Sequence, residues 1–309
     1  MVVVGIKEEN LDREYWNRLD ALTEKKVLVP KDKNAIITQV SDADCIAAQF
    51  ASPIDKEVID SGHKLKFIGL ISTAHGTVDS EYAKKKGIVV SNVPGYGTES
   101  VSELVIASLL EHLWDLERAK KQVRQGNYLE TGFSAAEIKG KIFGIIGLGR
   151  IGSRTAELAL AFGADVRYWS RNRKTDLEKK GIKYEDLDTL IPKADFLSLH
   201  VVETQETANI MNEKRINNLK KGAVLIVTIP VKTVDLNALE NRLRNEEISF
   251  ITDHADEMKP EDVKRMVKFK NACFYPALAC VTKEASVAKQ KIFIENAESF
   301  LKGSPVNTV

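Results

Sequence analysis

Three cysteines in 309 residues, Cys45, Cys273 and Cys280, fall at no paired spacing, so the sequence offers neither a disulfide framework nor a zinc pattern. A reducing cytoplasm is the expected setting, and no metal is expected. An excess of one charge is missing as well. The 45 basic and 44 acidic residues leave a net +1, which gives no electrostatic case for nucleic acid or a membrane as partner. No apolar run approaches the roughly 18 residues a spanning helix needs. The apolar opening, residues 1–6, is too short for a secretory leader and runs into Lys7-Glu8-Glu9. Repeats, low-complexity tracts and charged tails are absent, and Lys84-Lys85-Lys86 before Gly87 reads as a solvated helix end. What remains is an ordinary globular composition, 43% hydrophobic and 29% charged, at a length that favours two domains.

The stretch Gly144-Ile145-Ile146-Gly147-Leu148-Gly149-Arg150-Ile151-Gly152 carries the clearest mechanism. Residues 141–146 read as a short apolar strand. A helical pattern through Ala156, Leu158, Leu160 and Phe162 follows, closed by Gly163, and a second strand covers 164–169. A Gly-x-Gly-x-x-Gly set inside such a unit points to dinucleotide binding. Gly147 permits the turn, Gly149 lets a pyrophosphate approach the backbone, and Gly152 lets helix and strand pack closely. The helix N-terminus then meets the phosphate charge. The plainer alternative is a glycine-rich turn that binds nothing.

Ahead of this unit, short apolar runs at 2–6, 27–30, 35–39, 45–48, 67–72 and 88–92 read as strands. Helices are expected at 13–22 and at 53–63, the second capped by Ser52. Together they describe a small α/β domain with a parallel sheet. The loop Pro94-Gly95-Tyr96-Gly97-Thr98 leads the chain out of it. From 99 to about 124 the spacing of Val105, Leu109, Leu110, Leu113, Trp114 and Leu116 predicts one long helix. It reads as a subunit interface or, alternatively, as a core helix spanning both domains. Further strands are expected at 196–200, 223–228, 250–253 and 272–275, and a closing helix over 286–302 should return to the first domain.

Several stretches carry a family likeness: Gly87-Ile88-Val89-Val90-Ser91-Asn92-Val93-Pro94-Gly95, Thr98-Glu99-Ser100-Val101-Ser102-Glu103, Gly140 through Gly152, Leu199-His200-Val201, and Leu219-Lys220-Lys221-Gly222-Ala223-Val224-Leu225-Ile226. In this order, across most of the chain, they resemble the D-isomer-specific 2-hydroxyacid dehydrogenases, which include glyoxylate/hydroxypyruvate reductases and phosphoglycerate dehydrogenases. The resemblance implies an α/β protein with two Rossmann-like doubly wound parallel sheets. An NAD(P)-binding domain, 98–284, would be inserted into a discontinuous flavodoxin-like substrate domain, 1–97 plus 285–309, with a cleft between them and a homodimer as the assembly. It also implies cofactor contacts from Gly147, Gly149, Arg150, Ile151 and Gly152 at the pyrophosphate, from Val201, Val202 and Thr207 near the adenosine, and from Thr228 and Asp253 toward the nicotinamide. The family usually carries an acidic residue at the end of the second coenzyme strand, to hold the ribose 2′-hydroxyl. Here that place falls on Ser170, followed by Arg171, Asn172 and Arg173. A hydroxyl and two guanidiniums suit a 2′-phosphate, so NADP(H) is expected over NAD(H). The alternative is that both arginines belong to a solvated turn.

The resemblance fails at the reaction centre. The family's substrate-binding Arg should follow Ile226-Val227-Thr228-Ile229, and the residue there is Pro230. Its proton-donating His should follow Pro276, and the residue there is Ala277. The Glu that orients that His falls on Met258 or Lys259, with Glu257 adjoining. Losing general acid catalysis alone typically forfeits about 10²–10⁴ in rate. Candidate replacements are Lys232, as a cation or desolvated acid, His254 beside Asp253, and His75 in the loop Ser72-Thr73-Ala74-His75-Gly76-Thr77. Against each stands a plain reading: a solvated lysine, a ring turned away from the cleft, a loop histidine without a role. His200 matches a position that is ordinarily histidine in the family without being its acid, and His63 and His112 are helix residues with no partner in view. Two functions follow. One is an NADP(H)-dependent oxidoreductase working on CH–OH/C=O of a small substrate other than a common 2-keto acid. The other is a catalytically inactive NADP(H)-binding sensor or scaffold.

Overall fold

Short apolar strands alternating with one-sided helices build two parallel sheets in the computed structural model, which describes residues 1–309. The chain divides into two compact units, Met1–Tyr96 with Lys283–Val309, and Gly97–Thr282.

In the first unit the elements run β1 (Val2–Val4), α1 (Arg13–Ala21), β2 (Val27–Val29), α2 (Lys33–Val40), β3 (Cys45–Ala48), α3 (Lys56–Ser61), β4 (Phe67–Leu70), α4 (Ser80–Lys85) and β5 (Val89–Ser91). The strands lie in the order β2-β1-β3-β4-β5, every pair parallel. This is the flavodoxin-like winding. Two expectations are corrected here. Residues 35–39, expected as a strand because of Ile36-Ile37-Thr38, lie inside α2. Asp32 caps that helix by accepting from Ala35 N at 2.8 Å, and Ile36 and Val40, four apart, are the residues it buries. A capped start with an i,i+4 apolar pair outweighs β-branched propensity. The cap of α3 is Asp55, which accepts from Glu57 N and Val58 N, whereas the Ser52 hydroxyl is spent on Gln49 O. The helix therefore starts three residues later than expected. The C-terminal helix, Lys283–Leu301, packs on α1 and β4 with Phe293 and Ile294 buried. Each such side chain contributes about 1.5–3 kcal/mol. Asn296 Nδ2 donates to Asn92 O at 2.7 Å, and the tail beyond reaches the β5 edge, where Thr308 bridges Ser91 antiparallel.

The second unit opens with α5 (Thr98–Trp114) and α6 (Leu116–Arg124), then continues β6 (Ile142–Ile146), α7 (Arg150–Ala161), β7 (Asp165–Trp169), α8 (Thr175–Glu178), β8 (Lys183–Tyr184), α9 (Leu187–Leu190), β9 (Phe196–Leu199), α10 (Glu213–Asn217), β10 (Val224–Val227), α11 (Leu236–Arg244), β11 (Ser249–Thr252), α12 (Pro260–Met266) and β12 (Ala272–Phe274). All seven strands are parallel, in the order β12-β11-β10-β9-β6-β7-β8. Neighbouring strands reverse their winding between β6 and β9, which is where such a sheet opens its binding crevice. The single long helix expected over 99–124 is two helices. Asp115 adopts a left-handed conformation (φ 51°, ψ 48°), which aspartate tolerates better than most residues. α5 buries Val105 and Leu109 and packs on α7, so the first half is a core helix of its own unit. α6 buries nothing, and Trp114, Leu116, Val123, Tyr128 and Leu129 are exposed. No helix is long and apolar enough to cross a membrane.

Candidate functional site

The strand ends around β6 and β9 are built by backbone more than by side chains. Gly147 follows β6 with φ +97°, a conformation that disfavours any other residue. A Cβ there would stand 2.8 Å from the carbonyl carbon and oxygen of His200. A Cβ on Gly152 would run into the carbonyl oxygen of Gly147. Both glycines are therefore required by the close crossing of turn, helix and β9. Gly149 differs: a Cβ on it would meet nothing within 4 Å. Open space lies over that glycine at the start of α7, where Arg150 and Ile151 begin a twelve-residue helix and present unpaired first-turn N–H groups. The turn thus fits a pyrophosphate.

Behind it, the His200 Nε2 lies 2.9 Å from the Ser198 hydroxyl, while Nδ1 is enclosed without a partner. Although the residue keeps some exposed surface, its ring is enclosed, and burial pushes its pKa down to about 3. The ring is neutral beside the glycine turn. Past it Val201 is half-buried, Val202 is 78% exposed, and Thr207 Oγ1 donates to Val202 O at 2.5 Å, closing the loop.

The end of β7 carries the residues expected to read the 2′-position. The Ser170 hydroxyl donates to Asn172 O at 2.5 Å. Arg171 pairs with Glu206, both side chains mostly exposed. Arg173 grips Glu178 with two nitrogens, at 2.6 and 3.1 Å, and lies 5.0 Å from the Tyr184 ring centroid. That guanidinium holds the Glu178 carboxyl below the usual range. Ser170 and Arg171 therefore share the strand end, while Arg173 is tied into the packing of α8 and β8. Asp165, at the other end of β7, is spent on Arg167 and Lys183. Glu206 was missed by sequence reasoning, because nothing local marks a carboxylate 35 residues away as the partner of Arg171.

β10 and β11 end level, with Val227 opposite Thr252. The next residues, Thr228 and Asp253, are both buried, and each carries an unpartnered oxygen, Thr228 Oγ1 and Asp253 Oδ1. Asp253 Oδ2 accepts from Ala279 N at 3.0 Å, and burial raises the Asp253 pKa against the opposing pull of His254 and this bond. Buried polar atoms without partners are uncommon, and two at adjacent strand ends fit the amide of a ligand. These residues, with the glycine turn, suit a nicotinamide dinucleotide.

The proton-donor candidates are placed differently from one another. Lys232 follows Pro230 in a short 3-10 turn, with its side chain 78% exposed and its ammonium 3.3 Å from Glu203. It is not desolvated. Ala277 is exposed on the segment after β12. His75 belongs to the other unit, in the loop after β4, where Gly76 has φ +62° and Thr77 bonds Ser52 O at 2.6 Å. His254 directly follows Asp253; its Nε2 is 3.8 Å from Asp253 Oδ1 and its Nδ1 is 3.2 Å from Glu257 Oε1. The second unit thus brings together Thr228, Asp253, His254 and Glu257. The i,i+3 spacing of His254 and Glu257 was a readable signal that the reading of His254 as a neighbour of Asp253 alone passed over. No group of three or more His, Cys, Asp or Glu is arranged to hold a metal ion.

Comparison with known proteins agrees with this geometry. Residues 106–279 match the profile of the D-isomer specific 2-hydroxyacid dehydrogenase NAD binding domain. The chain is 33% identical to a glyoxylate reductase of Thermococcus litoralis over 286 residues, 90% of this chain and 86% of that one. It is 30% identical to a hydroxypyruvate reductase of Blautia hydrogenotrophica over 306 residues, 95% and 94% of the two chains. Among solved structures it resembles D-lactate dehydrogenase of Aquifex aeolicus complexed with NAD and lactic acid, with TM-score 0.84 and 27% identity over 98% and 96% of the two chains. It also resembles the acyclic imino acid reductase Bsp5 in complex with NADPH and D-Arg, with TM-score 0.86 and 28% identity over the whole of both.

Proposed function

Since the chain belongs to the D-isomer-specific 2-hydroxyacid dehydrogenase family, we propose that it is an NADP(H)-dependent oxidoreductase with a non-standard reaction centre, acting on CH–OH/C=O of a small substrate other than a common 2-keto acid. The coarse class, a nicotinamide-dependent oxidoreductase of the 2-hydroxyacid dehydrogenase type, comes with that membership. The observation that carries the finer reading is the contrast at the strand ends. Thr228 Oγ1 and Asp253 Oδ1 are left unpartnered beside an intact glycine turn, yet the neighbouring Pro230 and the exposed Ala277 offer neither a cation nor a proton.

In this reading Gly147 to Gly152 and the start of α7 hold the pyrophosphate, and Ser170 and Arg171 meet the 2′-phosphate. Thr228 and Asp253 satisfy the nicotinamide carboxamide. The bound cofactor supplies a hydride, and the chain must supply a proton to the forming alkoxide and a counter-charge where the substrate needs one. Proline at 230 removes the counter-charge that a carboxylate would seek, which argues against glyoxylate and hydroxypyruvate. NADPH and a C=N substrate are compatible with this fold in a relative 28% identical. A homodimer joined through the apolar surface of Trp114–Leu129 belongs to the same proposal, and a monomeric mass in solution would exclude it.

The test is a screen of aldehydes, ketones and imines for NADPH oxidation by the purified protein, with glyoxylate and hydroxypyruvate included. Turnover of another carbonyl or imine, with those two slower by about 10² or more, is the expected result. Rapid turnover of either acid would refute the reading of Pro230 and Ala277. Tight NADPH binding without turnover of any compound would favour the sensor or scaffold.

A further inference from the structure

We propose that His254 is the catalytic proton donor of this protein and that Glu257 is the positioning residue that holds its ring. The inference rests on the oxidoreductase reading above and deepens it.

β11 ends at Thr252, and the chain then turns at once. His254 N donates to Thr252 Oγ1 at 3.1 Å, and residues Ala255–Glu257 form a single 3-10 turn closed by Glu257 N on His254 O at 3.2 Å. Residues three apart eclipse one another in this kind of turn. Glu257 is thereby folded back over His254, with Oε1 3.2 Å from Nδ1 at ion-pair distance and short of full hydrogen-bond alignment. The ring is 22% exposed, so it is shielded but reachable. A carboxylate on Nδ1 keeps the proton there and leaves Nε2 as the exchanging position. Nε2 in turn lies 3.8 Å from Asp253 Oδ1, the unpartnered oxygen of the proposed cofactor site. Asp253 and Glu257 are the charged groups facing the ring, with Asp256 acting on Asp253 through space.

Neither of the other candidates combines these features. Lys232 is solvated and paired with Glu203, and His75 is carried by the other unit. Reduction of a carbonyl balances with His254 in this role. A bound reduced nicotinamide would supply the hydride that the carbonyl carbon takes, and would itself be the group oxidised. The π pair moves to oxygen, and that oxygen takes the proton from Nε2. The neutral ring then regains a proton from water.

Two arms test the pair on the full chain. In the first, the ring tautomers of ¹⁵N-histidine-labelled protein are read by NMR without cofactor, with His254→Gln assigning the signal. The neutral His254 ring should carry its proton on Nδ1, Glu257→Ala should redistribute it toward Nε2, and Glu257→Asp should restore much of the original distribution. An unchanged tautomer in Glu257→Ala overturns the pair. The second arm uses whichever substrate the screen yields. His254→Gln should lower kcat by about 10²–10⁴ with little change in KM or in NADPH affinity, and Glu257→Ala should lower kcat by less, with Glu257→Asp recovering part of the loss. Retained kcat in His254→Gln overturns the proton-donor role while leaving the oxidoreductase reading standing. A shifted tautomer with no compound turned over sinks that reading and the donor role with it.

Discussion

Gly147 to Gly152 and Thr228 to Pro230 both follow strands of one parallel sheet, yet they are fixed in different ways. At the glycine turn, backbone atoms approach so closely that the residue type is set by space alone. The Gly147 carbonyl occupies the volume a side chain on Gly152 would need. At the end of β10 the backbone is undemanding, and what matters is which functional group each side chain carries. Pro230 begins a 3-10 turn of Val231–Thr233 with ordinary angles (φ −50°, ψ 129°) and is tolerated there without distortion. The first region can change only by damaging the fold. The second carries a proline at 230 and keeps its strand, its register with β11 and its buried Val227. In the proposed reading, cofactor binding and reaction chemistry are therefore separable in this architecture.

The sharpest way to break the comparison is Gly152→Ala. The added methyl forces the turn apart at an expected cost of about 1–3 kcal/mol. NADPH affinity should fall by about 10²-fold, since the same displacement spoils the phosphate cradle. Fluorescence titration with NADPH checks the affinity, and a melting curve on the same sample checks that the protein is folded. Affinity within twofold of the unmutated chain would show that the turn is softer than its contacts imply.

His200 probes the same region through pH. Its folded-state pKa of about 3 lies below the ordinary 6.5, so the unfolded chain takes up the proton first as the pH falls. Stability from this group is complete above pH 6.5 and drains away toward pH 3. From pH 7 to pH 4.5 the expected loss is roughly 2 kcal/mol. His200→Gln should flatten that slope by about this amount in urea titrations at the two pH values, whatever its effect on stability at pH 7. An unchanged slope would mean that the ring is charged or solvated in the folded state.

How legible all this was depended on the range of the interaction. The glycine turn and its strands were readable because each rests on local chemistry: a periodic apolar run, a glycine at a positive φ, a helix start. The parallel sheet followed from strand–helix alternation, and the winding order came from the family resemblance. Errors came where two local signals competed, as at Ile36, where an aspartate cap four residues upstream overruled β-branched propensity, and at Asp115, where one left-handed residue divides a continuous apolar pattern. The site's partners were less readable for a different reason. Glu206 on Arg171, Glu178 on Arg173 and Glu203 on Lys232 are ion pairs between charged residues that the sequence scatters everywhere, and only the folded chain selects which ones meet. The exception is Glu257 on His254, close enough in sequence to have been inferred from spacing.

That selection sets up the finest test, at the strand end beside the glycine turn. Arg171 and Glu206 are 70% and 73% exposed, and an exposed pair of this kind is worth about 0–1 kcal/mol. A 2′-phosphate can therefore displace Glu206 from Arg171 at little cost. Arg171→Ala should weaken NADPH by about tenfold relative to NADH. Arg173→Ala should add little, because Glu178 and Tyr184 already hold that guanidinium. Glu206→Gln should act oppositely and more weakly, tightening NADPH by up to about fivefold and leaving NADH nearly unchanged, as the arginine no longer has a competing carboxylate. Parallel titrations of the three variants with both cofactors read these differences. Equal affinities for NADPH and NADH in the unmutated protein would remove the 2′-phosphate role from Ser170 and Arg171, and would reduce this strand end to a solvated turn that merely resembles a phosphate site.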